Sequence, residues 1–271
     1  METRFSLAHL TSIGSTHEEL IRYGADAGYD LVSLRTMPMG MAAENPENDP
    51  AKNPGLLTRI KKALKETGMG LNDVELARIS EGVNIEGYRQ GLNTAAELGA
   101  KAVITNIWTE DKPYYIDKFG ELCDLAQEFG LTVDLEIVTF AVVNNLIKAK
   151  ETLMAAGRKN MGLLIDTWHF HCSRLSLDEL EGLPPEWFHF IHLCDAPKEI
   201  PDTVEGLRAS GRLYPGEGGI DIAGIINRIP CRTFSVEIPN RERVAEKGAE
   251  WHIRRCLETA RDYITRQGKN A

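Results

Sequence analysis

The chain has 271 residues, of which 42% are hydrophobic and 26% charged, and its formal net charge is −9. An acidic chain of this kind is a poor partner for duplex nucleic acid, whose recognition requires clustered Lys and Arg. No apolar run approaches the roughly 20 residues that cross a bilayer, and the N-terminus METRFSLAHL lacks the features of a secretory signal. We therefore expect a cytoplasmic protein that binds neither nucleic acid nor membrane.

The cysteines agree with this expectation. They are five in number, scattered, and without Cys-x-x-Cys spacing. An odd and scattered set fits reduced thiols better than a disulfide framework.

Short β-like runs alternate with amphipathic helical patterns along the whole chain. The predicted strands span residues 4–9, 30–35, 71–76, 102–107, 131–137, 162–166, 187–193 and 233–238. The predicted helices lie near 16–27, 54–67, 85–98, 114–129, 141–156, 175–180, 220–228 and 243–266. This alternation predicts a single-domain α/β fold, a (β/α)8 TIM barrel over residues 1–271, since such barrels need about 250 residues. An open doubly wound sheet is disfavoured because no Gly-x-Gly-x-x-Gly follows the first strand.

Two connections are long, at 37–53 and 196–219. Both follow predicted strands, on the face where barrel enzymes carry their active-site loops. We expect them to cover a substrate, and an oligomer contact is the alternative.

Polar side chains recur at the ends of four consecutive predicted strands. Period-two alternation turns Glu136 and Glu237 towards the barrel interior, because the opposite faces of their strands are apolar. Asp166 ends the sixth strand and His192 lies near the end of the seventh. A buried carboxylate is costly unless it is paired or binds a cation. Three carboxylates and one imidazole on one rim therefore predict a site for one divalent cation, with Mn or Mg favoured and Co or Zn compatible.

Further polar residues are candidates for substrate contact. His9 ends the first strand at the height of the predicted site, and Glu75 has the parity of an inward-facing residue. An internal ion pair, with Arg35 or Lys101, is the other interpretation of Glu75. His189 has the opposite parity to His192, so we expect it to face the helices.

Five segments carry a resemblance to a known family. They are LTVDLEIV, LLIDTWHF with its Asp-x-x-His, FIHLCDA, RLYPGEGGID and FSVEIPN. In this order and spacing, they resemble the xylose isomerase-like TIM-barrel superfamily, in particular its sugar phosphate isomerase/epimerase branch. The resemblance covers essentially the whole chain.

The resemblance also implies roles for residues. It implies Glu136, Asp166, His192 and Glu237 as metal ligands and His169 as the histidine that contacts the substrate beside the metal. Arg212 and Glu217 occupy the segment that carries substrate-loop residues. Multi-zinc DNA-repair endonucleases of the superfamily need additional histidines on early strands, whereas strand four ends here in Thr-Asn-Ile.

We therefore predict a metal-dependent isomerase or epimerase of a small polyhydroxy ketone or aldehyde, such as a sugar or inosose. Glu136 and Glu237 would move the proton through a metal-stabilised enediolate, while His169 polarises a substrate oxygen. The alternative is a metal-dependent dehydratase, a lyase of a cyclic polyol ketone or dehydroshikimate-like acid. A non-catalytic sugar-binding barrel is the third reading. The expected partner is a carbohydrate-like small molecule, and the sequence leaves a homo-oligomer open.

Overall fold

A computed structural model describes residues 2–39 and 49–268, and its eight parallel strands close into a barrel in sequence order. The strands are β1 (Arg4–Leu7), β2 (Leu31–Arg35), β3 (Gly70–Glu75), β4 (Ala102–Thr105), β5 (Thr132–Glu136), β6 (Met161–Asp166), β7 (Ile191–Leu193) and β8 (Thr233–Val236). Because β1 pairs with both β2 and β8, the described sheet has no open edge. The predicted (β/α)8 barrel is confirmed.

Helices surround the barrel. They are α1 (His17–Ala27), α2 (Pro54–Thr67), α3 (Arg89–Glu97), α4 (Lys112–Gln127), α5 (Leu146–Ala156), α6 (Thr167–Cys172), α7 (Val204–Ala209), α8 (Ile222–Ile226), α9 (Arg241–Lys247) and α10 (Ala249–Gly268). Helix α1 begins with a capping box in which Thr16 and Glu19 satisfy each other's backbone N–H groups. Within the described ranges, no helix is long and apolar enough to cross a membrane.

The barrel interior has an apolar half and a polar half. A small cluster, separate from the main core between strands and helices, forms the apolar half: Leu76, Ala102, Ile104, Leu164 and Phe190, with Met39 packed against it. The polar half consists of buried groups on β1, β2, β3 and β8: Ser6, Ser33, Asp73 and Ser235. There Ser33 Oγ donates to Asp73 Oδ1 at 2.5 Å and lies 3.1 Å from Ser6 Oγ.

Several predicted elements differ from the observed ones. The predicted helix near 175–180 is a 3₁₀ turn at Leu177–Leu180, and α3 and α5 begin four and five residues later than predicted, at Arg89 and Leu146.

Strand β7 begins at Ile191 instead of 187, because Trp187 ends a 3₁₀ turn that Pro185 begins and the backbone bends again at His189. The predicted last helix is two helices, because Gly248 between them has φ +89°, outside the helical region.

The two long connections have different outcomes. Much of 37–53 falls on residues 40–48, which lie outside the described residues. The segment 196–219 contains the short helix α7, which was not predicted. It also carries Arg212 into the barrel mouth, where the guanidinium is buried.

The prediction for His189 was wrong. Its Nδ1 lies 2.8 Å from Oδ1 of the fully buried Asp134 on β5, so the ring does not face the helices. Strand alternation does not apply at this position because the backbone bends at His189, before β7 begins.

Candidate metal centre

The structure brings the four predicted ligands to one point of the barrel rim. Glu136 and Asp166 are the last residues of β5 and β6, His192 is the middle residue of β7, and Glu237 follows β8 directly. Asp166 and His192 are paired in register, and His192 is paired with Ser235, two residues before Glu237. One ligand atom from each of the four residues lies within 4.8 Å of all the others.

His192 lies at the centre of this group. Its Nδ1 is 3.4 Å from Glu136 Oε1, 3.7 Å from Asp166 Oδ2 and 3.5 Å from Glu237 Oε2. Both ring nitrogens are buried and make no hydrogen bond with the residues that the structure describes. An imidazole nitrogen that faces three carboxylate oxygens without a hydrogen bond fits a shared cation, and this donor set suits a divalent metal.

The electrostatics point in the same direction. Burial disfavours a charged imidazole at His192, but the surrounding carboxylates, Glu237 foremost, outweigh it and hold its pKa well above 6.5. The same burial opposes a charged Glu237, but His192 and Arg212 outweigh it and lower the Glu237 pKa. A site that so favours a proton on its imidazole also favours a metal cation.

Asp166 uses its two oxygens for different purposes. Oδ1 accepts from the backbone N–H groups of Trp168 at 2.7 Å and His169 at 3.0 Å, which caps α6. Oδ2 faces the cluster and accepts from Arg212 Nη1 at 2.6 Å. The cap also explains why a short helix, α6, follows β6.

Arg212 closes one side of the cluster. Its Nη1 lies 2.6 Å from Asp166 Oδ2 and 3.0 Å from Glu237 Oε2, and its guanidinium stacks 5.6 Å from the Trp168 ring centre. Because two of its contacts are candidate ligands, the Arg212 guanidinium partly neutralises the carboxylates of the cluster.

His169 lies beside the cluster, and a hydrogen bond fixes the tautomer of its neutral ring. The backbone N–H of Thr139 donates to His169 Nδ1 at 3.1 Å, so the neutral ring carries its proton on Nε2. Burial lowers the pKa of His169, and Asp166 and Glu136 oppose this only in part. The rings of Trp168 and Phe140 meet the imidazole edge-on at 5.0 and 6.4 Å.

The loop that carries Arg212 is organised by Asp195, a residue that sequence reasoning missed. Its Oδ2 accepts from the N–H groups of Gly216 at 2.9 Å and Gly218 at 3.0 Å. Its Oδ1 accepts from those of Ala196 at 2.9 Å and Ile220 at 3.0 Å. The signal was the aspartate of FIHLCDA together with the glycines of PGEGG. A Cβ at Gly218 would overlap both Asp195 Oδ1 and the Ala196 carbonyl, so this position needs glycine.

The other predicted substrate residues lie in three different settings. Glu75 is buried and forms an ion pair with Arg35 at 2.9 Å. His9 is buried with both ring nitrogens in use, since Nδ1 accepts from Arg35 N at 3.1 Å and Nε2 lies 3.3 Å from Ser15 O. Burial lowers the pKa of His9 to about 3. The Glu217 side chain is 39% exposed, and its Oε2 lies 3.3 Å from Arg243 Nη2, outside the cluster.

Comparisons with known proteins show the family to which the chain belongs. A family model described as "Xylose isomerase-like TIM barrel" matches residues 21–256, and the chain belongs to this family. An inosose isomerase of Bacillus licheniformis is 28% identical over 199 residues, which cover 68% of this chain and 70% of that protein. A 3-dehydroshikimate dehydratase of Pseudomonas aeruginosa is 26% identical over 232 residues, covering 79% of this chain but only 34% of that protein.

A solved structure shows the same fold. It is described as the crystal structure of IolI protein with a binding zinc atom, and it superposes with a TM-score of 0.82 at 21% identity. The superposition covers 97% of this chain and 99% of that one.

Proposed function

We propose that this chain is a metal-dependent isomerase or epimerase of a small polyhydroxy ketone or aldehyde. The observation that carries the proposal is the convergence of Glu136, Asp166, His192 and Glu237 around one point, with no hydrogen bond from either His192 nitrogen to any described residue. The family match and the similarity to an inosose isomerase support it.

The four residues would hold one divalent cation. Three carboxylates favour Mn or Mg as the bound ion, and the imidazole makes the set compatible with Co or Zn as well. When bound, the cation would supply Lewis acidity to a carbonyl oxygen and its neighbouring hydroxyl.

Two glutamates would carry the proton. Glu136 on β5 and Glu237 after β8 lie on opposite flanks of the cluster, so their free oxygens can face opposite sides of a bound carbon atom. One would remove the proton from that carbon and the other would return it, which gives isomerisation or epimerisation according to the carbon that receives it. His169 Nε2–H would donate to a substrate oxygen and stabilise the charge that develops there.

The remaining predicted contacts belong to this proposal in different ways. Arg212 would contact the substrate at the metal side, where it already lies. Glu75 faces the opposite side of the mouth. His9 would act through Arg35, whose backbone it binds. A direct role for Glu217 would require its carboxylate to leave Arg243.

The proposal is tested with Glu136→Gln and Glu237→Gln, with the exposed Glu128→Gln as the matched control. Each active-site variant should lose about 10²–10⁴-fold in turnover of an inosose or ketose, because general acid–base catalysis contributes that much. Turnover is followed by incorporation of solvent deuterium at carbon, and metal content is measured on every sample. If both variants bind metal and keep wild-type turnover, the proposed mechanism is wrong.

A dehydratase is the second candidate, supported by the similarity to a 3-dehydroshikimate dehydratase. The same base would remove the proton, and an acid such as His169 or Glu237 would protonate a departing β-hydroxyl. Deuterium incorporation without loss of water identifies the isomerase, and an absorbing enone product identifies the lyase.

A further inference from the structure

We propose that Glu75, held by Arg35, binds a substrate hydroxyl on the side of the molecule away from the metal. This contact would make the site selective for neutral polyhydroxy ketones over ketones that carry a carboxylate at that position. The inference rests on the proposed function and specifies its substrate class.

The first argument comes from the barrel topology. The four candidate ligands lie on β5 to β8, which form one continuous half of the closed barrel. A substrate whose carbonyl and neighbouring hydroxyl lie against that half must extend over β1 to β4. Glu75 and Arg35 end β3 and β2 on that side. The far end of the substrate therefore meets this ion pair.

The second argument is a missing hydrogen bond. Glu75 Oε2 lies 2.9 Å from Arg35 Nη2, while Glu75 Oε1 is buried and has no hydrogen-bond partner among the described residues. A buried carboxylate oxygen without a partner is destabilising, and a substrate hydroxyl would restore the missing interaction.

Three other polar groups near this rim already have hydrogen-bond partners. Both ring nitrogens of His9 are in use, and Asn106 Oδ1 accepts from Trp108 Nε1 at 2.7 Å. Thr105 Oγ1 donates to Ala77 O at 2.6 Å.

Asp73 Oδ2 and Thr36 Oγ1 also lack a partner among the described residues, but Asp73 lies two residues before the end of β3 and Thr36 offers a neutral hydroxyl. Glu75 Oε1 is therefore the carboxylate oxygen at this rim that is best placed to bind a ligand.

The depth of the barrel restricts the substrate in the same sense. Leu164 and Phe190 come two residues before Asp166 and His192 and fill the interior beneath them, together with Leu76 and Ile104. A substrate cannot extend down into the barrel past these side chains. It must lie across the mouth, from the metal side to Glu75.

The third argument is charge. Burial raises the pKa of Glu75 to about 7, against the opposing effect of Arg35 and with the help of nearby Glu237 and Asp73. The positive charge of Arg35 is therefore offset by the carboxylates of Glu75, Glu237 and Asp73, and the surroundings of Glu75 disfavour a further negative charge. A substrate carboxylate at this place would add repulsion, whereas a hydroxyl can accept a hydrogen bond from the protonated Glu75 carboxyl or donate one to the Glu75 carboxylate.

The test is a thermodynamic cycle that combines one change in the enzyme with one change in the substrate. Wild type and Glu75→Gln are assayed with an inosose and with monodeoxy inososes, each lacking one hydroxyl away from the carbonyl and its neighbour. For one analogue, wild type should lose about 10–100-fold in kcat/KM, as expected for a hydrogen bond to a charged group. With the parent inosose, Glu75→Gln should lose a similar factor in kcat/KM. With the analogue that lacks the hydroxyl bound by Glu75, its kcat/KM should fall little further.

A second arm measures competitive inhibition by 3-dehydroshikimate, which carries a carboxylate. Removal of the Glu75 charge should tighten its binding about tenfold. The exposed Glu97→Gln serves as the matched control for removal of a carboxylate and should change neither measurement.

Folding is monitored by Tm and metal content. If Glu75→Gln does not fold, the cycle is repeated with the double variant Arg35→Gln/Glu75→Gln, which removes both buried charges. If the loss in kcat/KM from Glu75→Gln adds to the loss from removing each hydroxyl, while the enzyme still exchanges deuterium, then Glu75 does not bind a substrate hydroxyl. The proposed function would stand in that case. A wild-type protein that exchanges no C–H proton with any ketone overturns the proposed function itself.

Discussion

Several carboxylates of this protein make a different contact with each oxygen. In Asp166, one oxygen caps α6 and the other faces the metal cluster. One side chain can therefore cap a helix and remain a candidate metal ligand, and the cap also orders the site. It fixes the carboxylate rotation and places His169, whose N–H it accepts, three residues further along the same turn.

Asp134 and His189 form another residue-scale pair, at the opposite end of the barrel interior from the metal. The hydrogen bond to Asp134 raises the pKa of His189 above 6.5, and burial opposes it only in part. Because the folded pKa is raised, the pair's stabilisation is complete below the unfolded pKa of about 6.5 and is lost as pH rises through the folded value.

We therefore expect His189→Gln to destabilise the protein more at pH 6 than at pH 8.5. The measurement is the free energy of unfolding in denaturant at both pH values, with a chelator present so that metal binding does not contribute. His171→Gln removes a half-buried histidine that contacts Pro197 O at 3.1 Å and serves as control. A destabilisation by His189→Gln that is equal at both pH values would contradict the charged pair.

At the scale of elements, the loop between β7 and α8 is the clearest case of structure held by one side chain. Asp195 accepts four backbone N–H groups from a segment that has little regular structure of its own. An antiparallel bridge between Asp195 and Leu213 joins the same two segments. Arg212, next to Leu213, therefore depends on Asp195 for its position at the metal cluster.

Asp195→Ala should lower kcat/KM by at least about tenfold and destabilise the fold by about 1–3 kcal/mol, because buried N–H groups lose their acceptor. Activity and Tm are measured together with metal content. Asp221→Ala is the matched control, since Asp221 caps α8 in the same loop through Gly224 N at 2.8 Å. It should cost about 1 kcal/mol of stability and leave kcat/KM unchanged. Equal activity losses in both variants would mean that Asp195 has no special relation to Arg212.

At the scale of the whole molecule, the closed barrel concentrates negative charge at one rim. Glu136, Asp166 and Glu237 meet there, and Arg212 is their closest fixed cation among the described residues. The folded state should therefore gain stability when a divalent cation binds, because the unfolded chain does not hold these ligands together.

An ion present at a hundred times its Kd should add about 2.7 kcal/mol and raise Tm by about 5–10 °C. Thermal unfolding is followed after chelation and after return of Mn, Mg, Co or Zn, which also ranks the ions. His192→Ala should abolish most of the shift. A Tm that does not respond to any of the ions, or a shift unchanged in His192→Ala, would argue against the centre.

Much of this protein could be predicted from its sequence. Strand and helix periodicities depend on residues close together in the chain, so the barrel order and the inward parity of Glu136 and Glu237 follow from them directly. Once eight parallel strands close, their carboxyl ends must share one rim, and this places Asp166 and His192 beside the two glutamates.

Only the tertiary structure decided which polar atoms find partners. Three contacts depend on segments that are distant in sequence: the N–H groups of Gly216, Gly218 and Ile220 that donate to Asp195, the contact of His189 with Asp134, and the ion pair that leaves Glu75 Oε1 without a partner among the described residues. Such contacts follow from strand register, backbone bends and loop closure, none of which a local periodicity encodes. The position of the candidate site thus follows from the sequence pattern, whereas the selectivity that we propose for it depends on contacts that exist only in the folded barrel.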